Sequence, residues 1–138
     1  MPDTNRSQAN GGSDTSEWTK TYSDMVGRQY KTLFAAASAP YPLALSTYNV
    51  KGQLTNQVDP DGVITLYAYN AKGEQVYSVL DSNRNYTIDF AGADQITFTT
   101  NDVTTYNGTT VRRTRTYAWN TFNSPASNLV SVSQASVD

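Results

Sequence analysis

The sequence contains no cysteine and no histidine, and both absences limit its chemistry. Without cysteine there are no disulfides and no thiolate nucleophile, and the cellular compartment stays open. Without histidine, neither a Ser-His-Asp triad nor a His-ligated metal site can form within the chain. One enzymatic alternative is a glycosidase-like carboxylate pair among Asp59, Asp61, Asp81 and Asp89, but Asp is a standard turn former and nothing in their spacing favours catalysis over turn formation. We therefore predict that the protein is not an enzyme.

Charge is scarce and nearly balanced. Lysine plus arginine number 10 against 12 aspartate plus glutamate, which gives a formal net charge of −2. This balance provides no electrostatic basis for binding nucleic acid or an anionic membrane. The cluster of Arg112, Arg113 and Arg115 has two interpretations, a phosphate-binding patch or an ordinary strand face, and the composition favours the strand face. We predict no nucleic-acid partner.

Long hydrophobic runs are also missing. The most apolar stretch, residues 33–45, is too short to span a bilayer and is interrupted by Pro40 and Pro42. Residues 1–17 are polar and lack the apolar core of a signal peptide, so we expect a flexible N-terminal segment there. No glycine-rich phosphate loop follows a strand into a helix. The sequence therefore predicts no membrane insertion and no cofactor.

A short motif occurs twice. The segment Tyr48-Asn49-Val50-Lys51-Gly52 recurs 21 residues later as Tyr69-Asn70-Ala71-Lys72-Gly73, with Tyr, Asn, Lys and Gly at the same offsets. A period near 20 residues is typical of repeat proteins, in which one unit cannot bury its apolar face alone.

Each repeat has the pattern of a β-hairpin. Leu54 and Val58 alternate on one face, and the segment Asp59-Pro60-Asp61-Gly62 has the residues of a tight turn. Residues 63–69 are β-branched and aromatic, with apolar groups on both faces, as in a strand that is covered on each side. We predict an all-β fold of consecutive antiparallel β-hairpin repeats, each about 21 residues long.

The amino-acid sequence of these turns resembles the YD repeat of RHS (rearrangement hotspot) proteins, whose motif is usually Tyr-Asp-x-x-Gly-Arg. Asn49 and Asn70 take the place of the Asp, and Gln53 and Glu74 take the place of the Arg. A degenerate copy, Tyr22-Ser23-Asp24-Met25-Val26-Gly27-Arg28, has one extra residue after the Tyr. The predicted repeat-motif residues, all structural, are Tyr22, Asp24, Gly27, Arg28, Tyr48, Asn49, Gly52, Asp59, Pro60, Gly62, Tyr67, Tyr69, Asn70 and Gly73.

The resemblance implies a structural role. RHS and YD repeats build β-sheet spirals that close into hollow shells or form part of cell-surface adhesion modules. It therefore implies a secreted or cell-surface location and, as partners, other YD repeats of the parent protein or copies of the chain itself. The alternative is a glycan- or protein-binding module, because ten tyrosines can supply aromatic sheet faces. We find no counterpart of the self-cleavage motif that some shells contain.

Outside the two clear copies the repeat is less regular. We predict a hairpin array over residues 18–119, with an insertion at 33–46 and an Asx-rich loop at 81–89. Asn107-Gly108 predicts a two-residue hairpin turn between strands at 96–106 and 109–119. We predict a strand-like C-terminal segment at 120–138 that continues into, or pairs with, another repeat of a longer array. We expect its strand at 128–137 to lack a partner within the chain.

The loop at 81–89 has two interpretations. Oxygen-bearing side chains occupy alternate positions, as in the first half of an EF-hand-like calcium loop, where a hard cation takes several oxygen ligands. These candidate ligands are Asp81, Asn83, Asn85, Thr87 and Asp89. However, Tyr86 and Gly92 stand where such a loop requires Gly and a bidentate Glu. The alternative is an Asx-rich turn whose side chains bind backbone amides.

Overall fold

The computed structural model describes residues 17–119 and 127–137 of the chain. These residues form strands and turns and no helix, which confirms the all-β prediction. The nine strands are β1 (Thr19–Ser23), β2 (Gln29–Phe34), β3 (Leu43–Tyr48), β4 (Leu54–Val58), β5 (Ile64–Tyr69), β6 (Gln75–Leu80), β7 (Gln95–Tyr106), β8 (Thr109–Trp119) and β9 (Asn128–Ser136). None of the described residues belongs to a helix that could cross a membrane.

The chain divides into two compact units, and the first ends at Ile64. Within it β1, β2, β3 and β4 pair antiparallel in chain order. The predicted insertion at 33–46 is shorter than expected, because residues 33–34 end β2 and residues 43–46 begin β3. The connecting segment contacts the start of β1, where the Trp18 and Tyr41 rings meet edge to face at 5.0 Å. The predicted N-terminal segment 1–17 lies outside the described residues, apart from its last residue.

The second unit begins at Thr65, and its strands β5 to β9 also pair antiparallel in chain order. Leu66, Val79 and Ile96 lie side by side on three adjacent strands and are at most 5% exposed. Complete burial of such a side chain contributes about 1.5–3 kcal/mol. The core of this unit therefore lies on the sheet face that these three side chains share. The polar Thr and Ser residues that alternate with them along the strands lie on the other face.

The C-terminal strand β9 corrects one prediction. We expected residues 128–137 to lack a partner within the chain, but β9 pairs with β8 over eight registered positions, from Val111↔Ser136 to Ala118↔Asn128. The alternating Val and Ser residues allow this pairing, since β8 offers a complementary strand of eleven residues. All nine residues of β9 are nevertheless exposed. The part of the predicted end at 120–126 lies outside the described residues.

The hairpin β7–β8 is about twice as long as the repeat hairpins. Its strands have 12 and 11 residues, against 5 or 6 in β1 to β6. The predicted turn at Asn107-Gly108 is present, with φ values of 50° and 78° that both residue types tolerate. On the other side of β7, the pairing with β6 ends at Tyr77↔Phe98. From Thr99 to the hairpin tip, β7 therefore has no registered pair with β6, although β6 itself begins two residues earlier than Tyr77, at Gln75.

Candidate functional site

Among the described residues, the repeat motif folds into one turn geometry that occurs four times, starting at Asp24, Asn49, Asp59 and Asn70. In each turn the N–H of the first residue donates to the carbonyl four residues later, at 2.9–3.0 Å. The N–H of the glycine at the fourth position donates back to the first carbonyl, also at 2.9–3.0 Å. These glycines have φ between +79° and +88°, a backbone conformation that is unfavourable for residues with a Cβ atom. The positive φ of Gly27, Gly52, Gly62 and Gly73 therefore belongs to the closed geometry of these turns.

The first side chain of each turn stabilises the backbone of the same turn. Its Oδ1 accepts the N–H groups two and four residues later, at 2.9–3.0 Å in all four turns. Either Asp or Asn can make these two bonds, because both have an acceptor oxygen at this position. Pro60 fits the second position of its turn because no hydrogen bond requires an N–H there.

The second terminal atom of the Asx side chain, Oδ2 in Asp or Nδ2 in Asn, explains why the motif sequence differs between copies. In the first turn Arg28 Nε donates to Asp24 Oδ2 at 2.7 Å. In the other two copies the direction is reversed: Asn49 Nδ2 donates to the Gln53 side chain, and Asn70 Nδ2 donates to the Glu74 side chain, both at 2.8 Å. Donor and acceptor have exchanged places together. The bond from position one to position five is thereby kept with different residues.

Electrostatics in the first turn follow from the same contacts. Partial burial opposes ionisation of Asp24, but hydrogen bonds from the Arg28 backbone, the Arg28 side chain and the Val26 backbone outweigh it. Together with the positive charge of Arg28 they hold the pKa of Asp24 below its ordinary value. Asp24 is therefore an ionised structural acceptor, not a proton donor, near neutral pH.

The motif tyrosines have different surroundings. Tyr48 links two successive turns of the first unit: its hydroxyl donates to the Gln29 carbonyl at 3.0 Å, and the Arg28 guanidinium lies 4.8 Å from its ring centroid. Tyr22 packs against Tyr30, with ring centroids 6.3 Å apart. Tyr67 and Tyr69 are half-buried in β5.

The predicted calcium ligands lie together in one loop, but most of their polar atoms have partners within the protein. Asp81 is 3% exposed, and its two oxygens accept the N–H groups of Asn85 and Tyr86, at 3.2 and 2.8 Å. Asn83 and Asn85 donate their side-chain amides to Asp89 Oδ2 at 2.7 and 2.8 Å. These are the bonds of an Asx-rich turn.

Thr87 contributes its backbone to the same loop, since its N–H donates to Asn85 Oδ1 at 2.8 Å. In the part of the chain that the structure describes, no group of three or more acidic residues is arranged to hold a metal ion. The Asx-turn interpretation thus accounts for the hydrogen bonds of the loop. Calcium binding stays a prediction.

Asp94 closes this loop and was not predicted as a functional residue from the sequence. Asp94 is 6% exposed, and its oxygens accept the N–H groups of Ser82 and Asp89, both at 3.0 Å. It therefore joins the two ends of the segment between β6 and β7. Its position outside the alternating pattern gave no signal, because the contact depends on the fold of the whole loop.

An aromatic cluster covers one face of the second unit. Tyr77, Phe98 and Tyr117 form a row across three strands, with centroid distances of 4.8 and 5.9 Å. Phe90, from the loop before β7, packs edge to face on Tyr77 and Trp119 at 5.6 and 5.5 Å. A cleft of about 390 Å³ is lined by this cluster, and its residues are Tyr77, Phe98, Thr100, Arg115, Tyr117, Trp119 and Ser127.

An ion cluster lies further along the same sheet face. Arg113 donates two hydrogen bonds to Asp102, at 2.9 and 2.6 Å, and Arg115 donates a third at 3.0 Å. The hydrogen bond from Arg113 prevails over partial burial and, with the charges of both arginines, holds the pKa of Asp102 below its ordinary value. Asp102 thereby neutralises part of the arginine cluster, as expected for a strand face.

These observations define a β-hairpin repeat protein whose motif residues close turns. Residues 48–84 match the family model of the RHS repeat, and this range contains the three turns that start at residues 49, 59 and 70. The match confirms the resemblance of residues 48–84 to the RHS repeat. Comparisons with curated proteins and with solved structures find no match.

Proposed function

We propose that this chain is a non-enzymatic structural module of an RHS-type β-sheet spiral, with further repeats or copies of itself as partners. The observation that carries the proposal is the recurrence of one closed turn at four positions, in which the motif side chains bond to each other and to the backbone. Residues used in this way stabilise a scaffold rather than perform a reaction. The family resemblance supports a secreted or cell-surface location.

The edge of β9 is the surface that we propose joins the next strand. Thr110 faces β9, since its carbonyl accepts the Val137 N–H at 3.3 Å. By the alternation of an antiparallel ladder, the backbones of Val132 and Gln134 then point away from β8. Among the described residues these two outward N–H groups have no partner. An exposed edge of this kind is a template for another strand.

Sedimentation velocity of a matched pair of variants tests this proposal. Val132 is 48% exposed, so Val132→Lys adds a charge at the edge without removing a core contact, whereas Val132→Thr keeps a neutral β-branched residue. We expect the wild type and Val132→Thr to associate with rising concentration, and Val132→Lys to associate less. Equal sedimentation of all three proteins would contradict association through β9.

The aromatic cluster supports glycan binding as a second candidate function. Sugar rings stack on half-exposed aromatic faces, and the cleft beside Tyr77, Tyr117 and Trp119 offers three of them. The test is a titration with neutral oligosaccharides that follows Trp119 fluorescence in a Trp18→Phe background. Binding should be lost in Tyr117→Ala and kept in Tyr67→Ala, because Tyr67 lies on the opposite sheet face. A flat titration would eliminate this candidate.

A further inference from the structure

Arg115 has hydrogen-bonding capacity that the described part of the chain does not use. Its Nη2 donates to Asp102 Oδ2 at 3.0 Å, but its Nε is buried and has no partner among the described residues. Arg113, by contrast, places both Nε and Nη2 on the two oxygens of the same carboxylate, at 2.9 and 2.6 Å. A buried donor without an acceptor is unfavourable, so Arg115 would gain from a further acceptor.

The charges of this cluster do not balance. Two guanidinium groups share the single carboxylate of Asp102, and neither has another ion pair among the described residues. Asp102 already accepts three hydrogen bonds from them, which leaves it little capacity for more. Arg115 is 32% exposed, and the attraction of a partly buried charge to an anion is stronger than in bulk water. The site therefore favours a ligand with one negative charge.

The uncompensated charge lies at the end of the aromatic cluster. Arg115 and Tyr117 are two residues apart in β8, so their side chains lie on one sheet face, about 7 Å apart along the strand. Both residues line the cleft of about 390 Å³, a volume near the lower end of the range for small-ligand sites. The cleft thus combines an aromatic surface with a cationic end.

The remaining walls of the cleft suit a ring that carries hydroxyl groups. Thr100, which pairs with Arg115 across the hairpin, and Ser127 both present hydroxyls to it. A hydroxyl both donates and accepts hydrogen bonds, as sugar hydroxyls do. An aromatic face packs against the apolar face of a pyranose, and a guanidinium fork binds a carboxylate through two parallel hydrogen bonds.

We propose that this cleft binds a glycan residue that carries a carboxylate, a hexuronic acid, with its ring on Tyr117 and its carboxylate on Arg115. This inference rests on the glycan-binding candidate function and adds the class of ligand. A carboxylate has one negative charge, which matches the one positive charge left over by Asp102, whereas a phosphate group carries nearly two. A neutral sugar would leave the capacity of Arg115 unused and should bind more weakly.

A pair of ligands that differ only in charge tests the preference. The ligands are an oligogalacturonate and the same oligomer with its carboxylates methyl-esterified. Each is titrated into the full chain carrying Trp18→Phe, and binding is followed through the fluorescence of Trp119, which lines the cleft. We expect the acid to bind at least about tenfold more tightly than the ester, because it adds a charge-assisted contact. The difference should shrink as the salt concentration rises.

Three variants assign the preference to Arg115. Arg115→Gln should lower the affinity for the acid to that for the ester and leave the affinity for the ester unchanged. Arg112→Gln removes the same charge from the opposite sheet face and should keep the preference. Asp102→Asn should raise the affinity for the acid severalfold, because it removes a negative charge that lies beside the proposed carboxylate site.

The possible outcomes separate this inference from glycan binding itself. Equal affinities of the parent protein for acid and ester would overturn the preference for a carboxylate while glycan binding stands, and no response to either ligand would eliminate both. A preference that Arg112→Gln weakens as much as Arg115→Gln would also overturn the assignment, since it would depend on overall charge. Melting curves verify that each variant is folded. The comparison of the two ligands on the parent protein, and the gain in Asp102→Asn, do not depend on the folding of Arg115→Gln.

Discussion

The exchange of donor and acceptor in the repeat turns makes a sharp prediction about stability. Asn70→Asp should destabilise the protein, because the new carboxylate faces the Glu74 carboxylate, which can donate no hydrogen bond at neutral pH. Glu74→Arg should also destabilise it, since two donors then face each other. The double variant restores the arrangement of Asp24 and Arg28, with the direction of the bond reversed. We therefore expect the double variant to be more stable than the sum of the single effects predicts.

The magnitude follows from one hydrogen bond at the surface. Such a bond contributes about 0.5–1.5 kcal/mol, so each single variant should lose about 1 kcal/mol of unfolding free energy. The coupling in the double-mutant cycle should then be about 1–2 kcal/mol. Backbone bonds to Oδ1 are kept in every variant, because Asp and Asn both present an acceptor there. The measurement is urea denaturation followed by circular dichroism.

The turn that starts at Asp59 supplies a matched control. Its fifth position is Val63, which has no polar side chain, so the bond that distinguishes Asp from Asn is missing in this turn. Asp59→Asn should therefore change stability little, whereas Asp59→Ala should cost about 1 kcal/mol through loss of the two backbone contacts. If Asn70→Asp proves as mild as Asp59→Asn, or if the double-mutant cycle shows no coupling, the explanation of the exchanged motif is wrong.

Three further predictions concern charge and the long loop. Folding lowers the pKa of Asp102, so its ionised form stabilises the folded protein fully at pH values above the unfolded pKa of about 3.9. This stabilisation is lost as the pH falls through the pKa of the folded state. In Asp102→Asn the melting temperature should therefore depend less on pH in the acid range. Asp94→Ala should destabilise the second unit by about 1–3 kcal/mol, because the N–H groups of Ser82 and Asp89 lose their acceptor; an unchanged urea midpoint would contradict this role. The hydrogen bonds of Asp81 lead us to expect equal melting temperatures in millimolar calcium and in chelator, and a rise in calcium that Asp81→Ala removes would establish the cation site instead.

Much of the fold could be predicted from local sequence. The turns starting at Asn49, Asp59 and Asn70, and the hairpin turn at Asn107-Gly108, depend on residues that are close together, so their pattern is directly visible. The strand between residues 109 and 119 was predicted with its observed bounds, because turn residues and alternating side chains delimit it. The local sequence therefore predicts structure well where the stabilising hydrogen bonds join residues that are close together in the chain.

What could not be predicted depends on contacts distant in sequence. The pairing of β9 with β8 needs the register of two separate strands, and Asp94 acts on residues up to twelve positions away. The exchanged hydrogen bond at Asn49 and Asn70 was visible as two substitutions, but their coupling requires the atoms to be placed. The sequence could indicate which side chains were unusual but not which atoms they join.

The most direct test of the proposed structural role is amide hydrogen exchange of β9 as a function of protein concentration. The backbone N–H groups of Val132 and Gln134 point to the outer edge, while that of Ser133 faces β8. If the edge joins another strand, exchange at Val132 and Gln134 should slow as concentration rises, and exchange at Ser133 should change much less. Rapid exchange at Val132 and Gln134 at every concentration, in protein that sediments as a monomer, would contradict the account of this chain as an edge-joining repeat module.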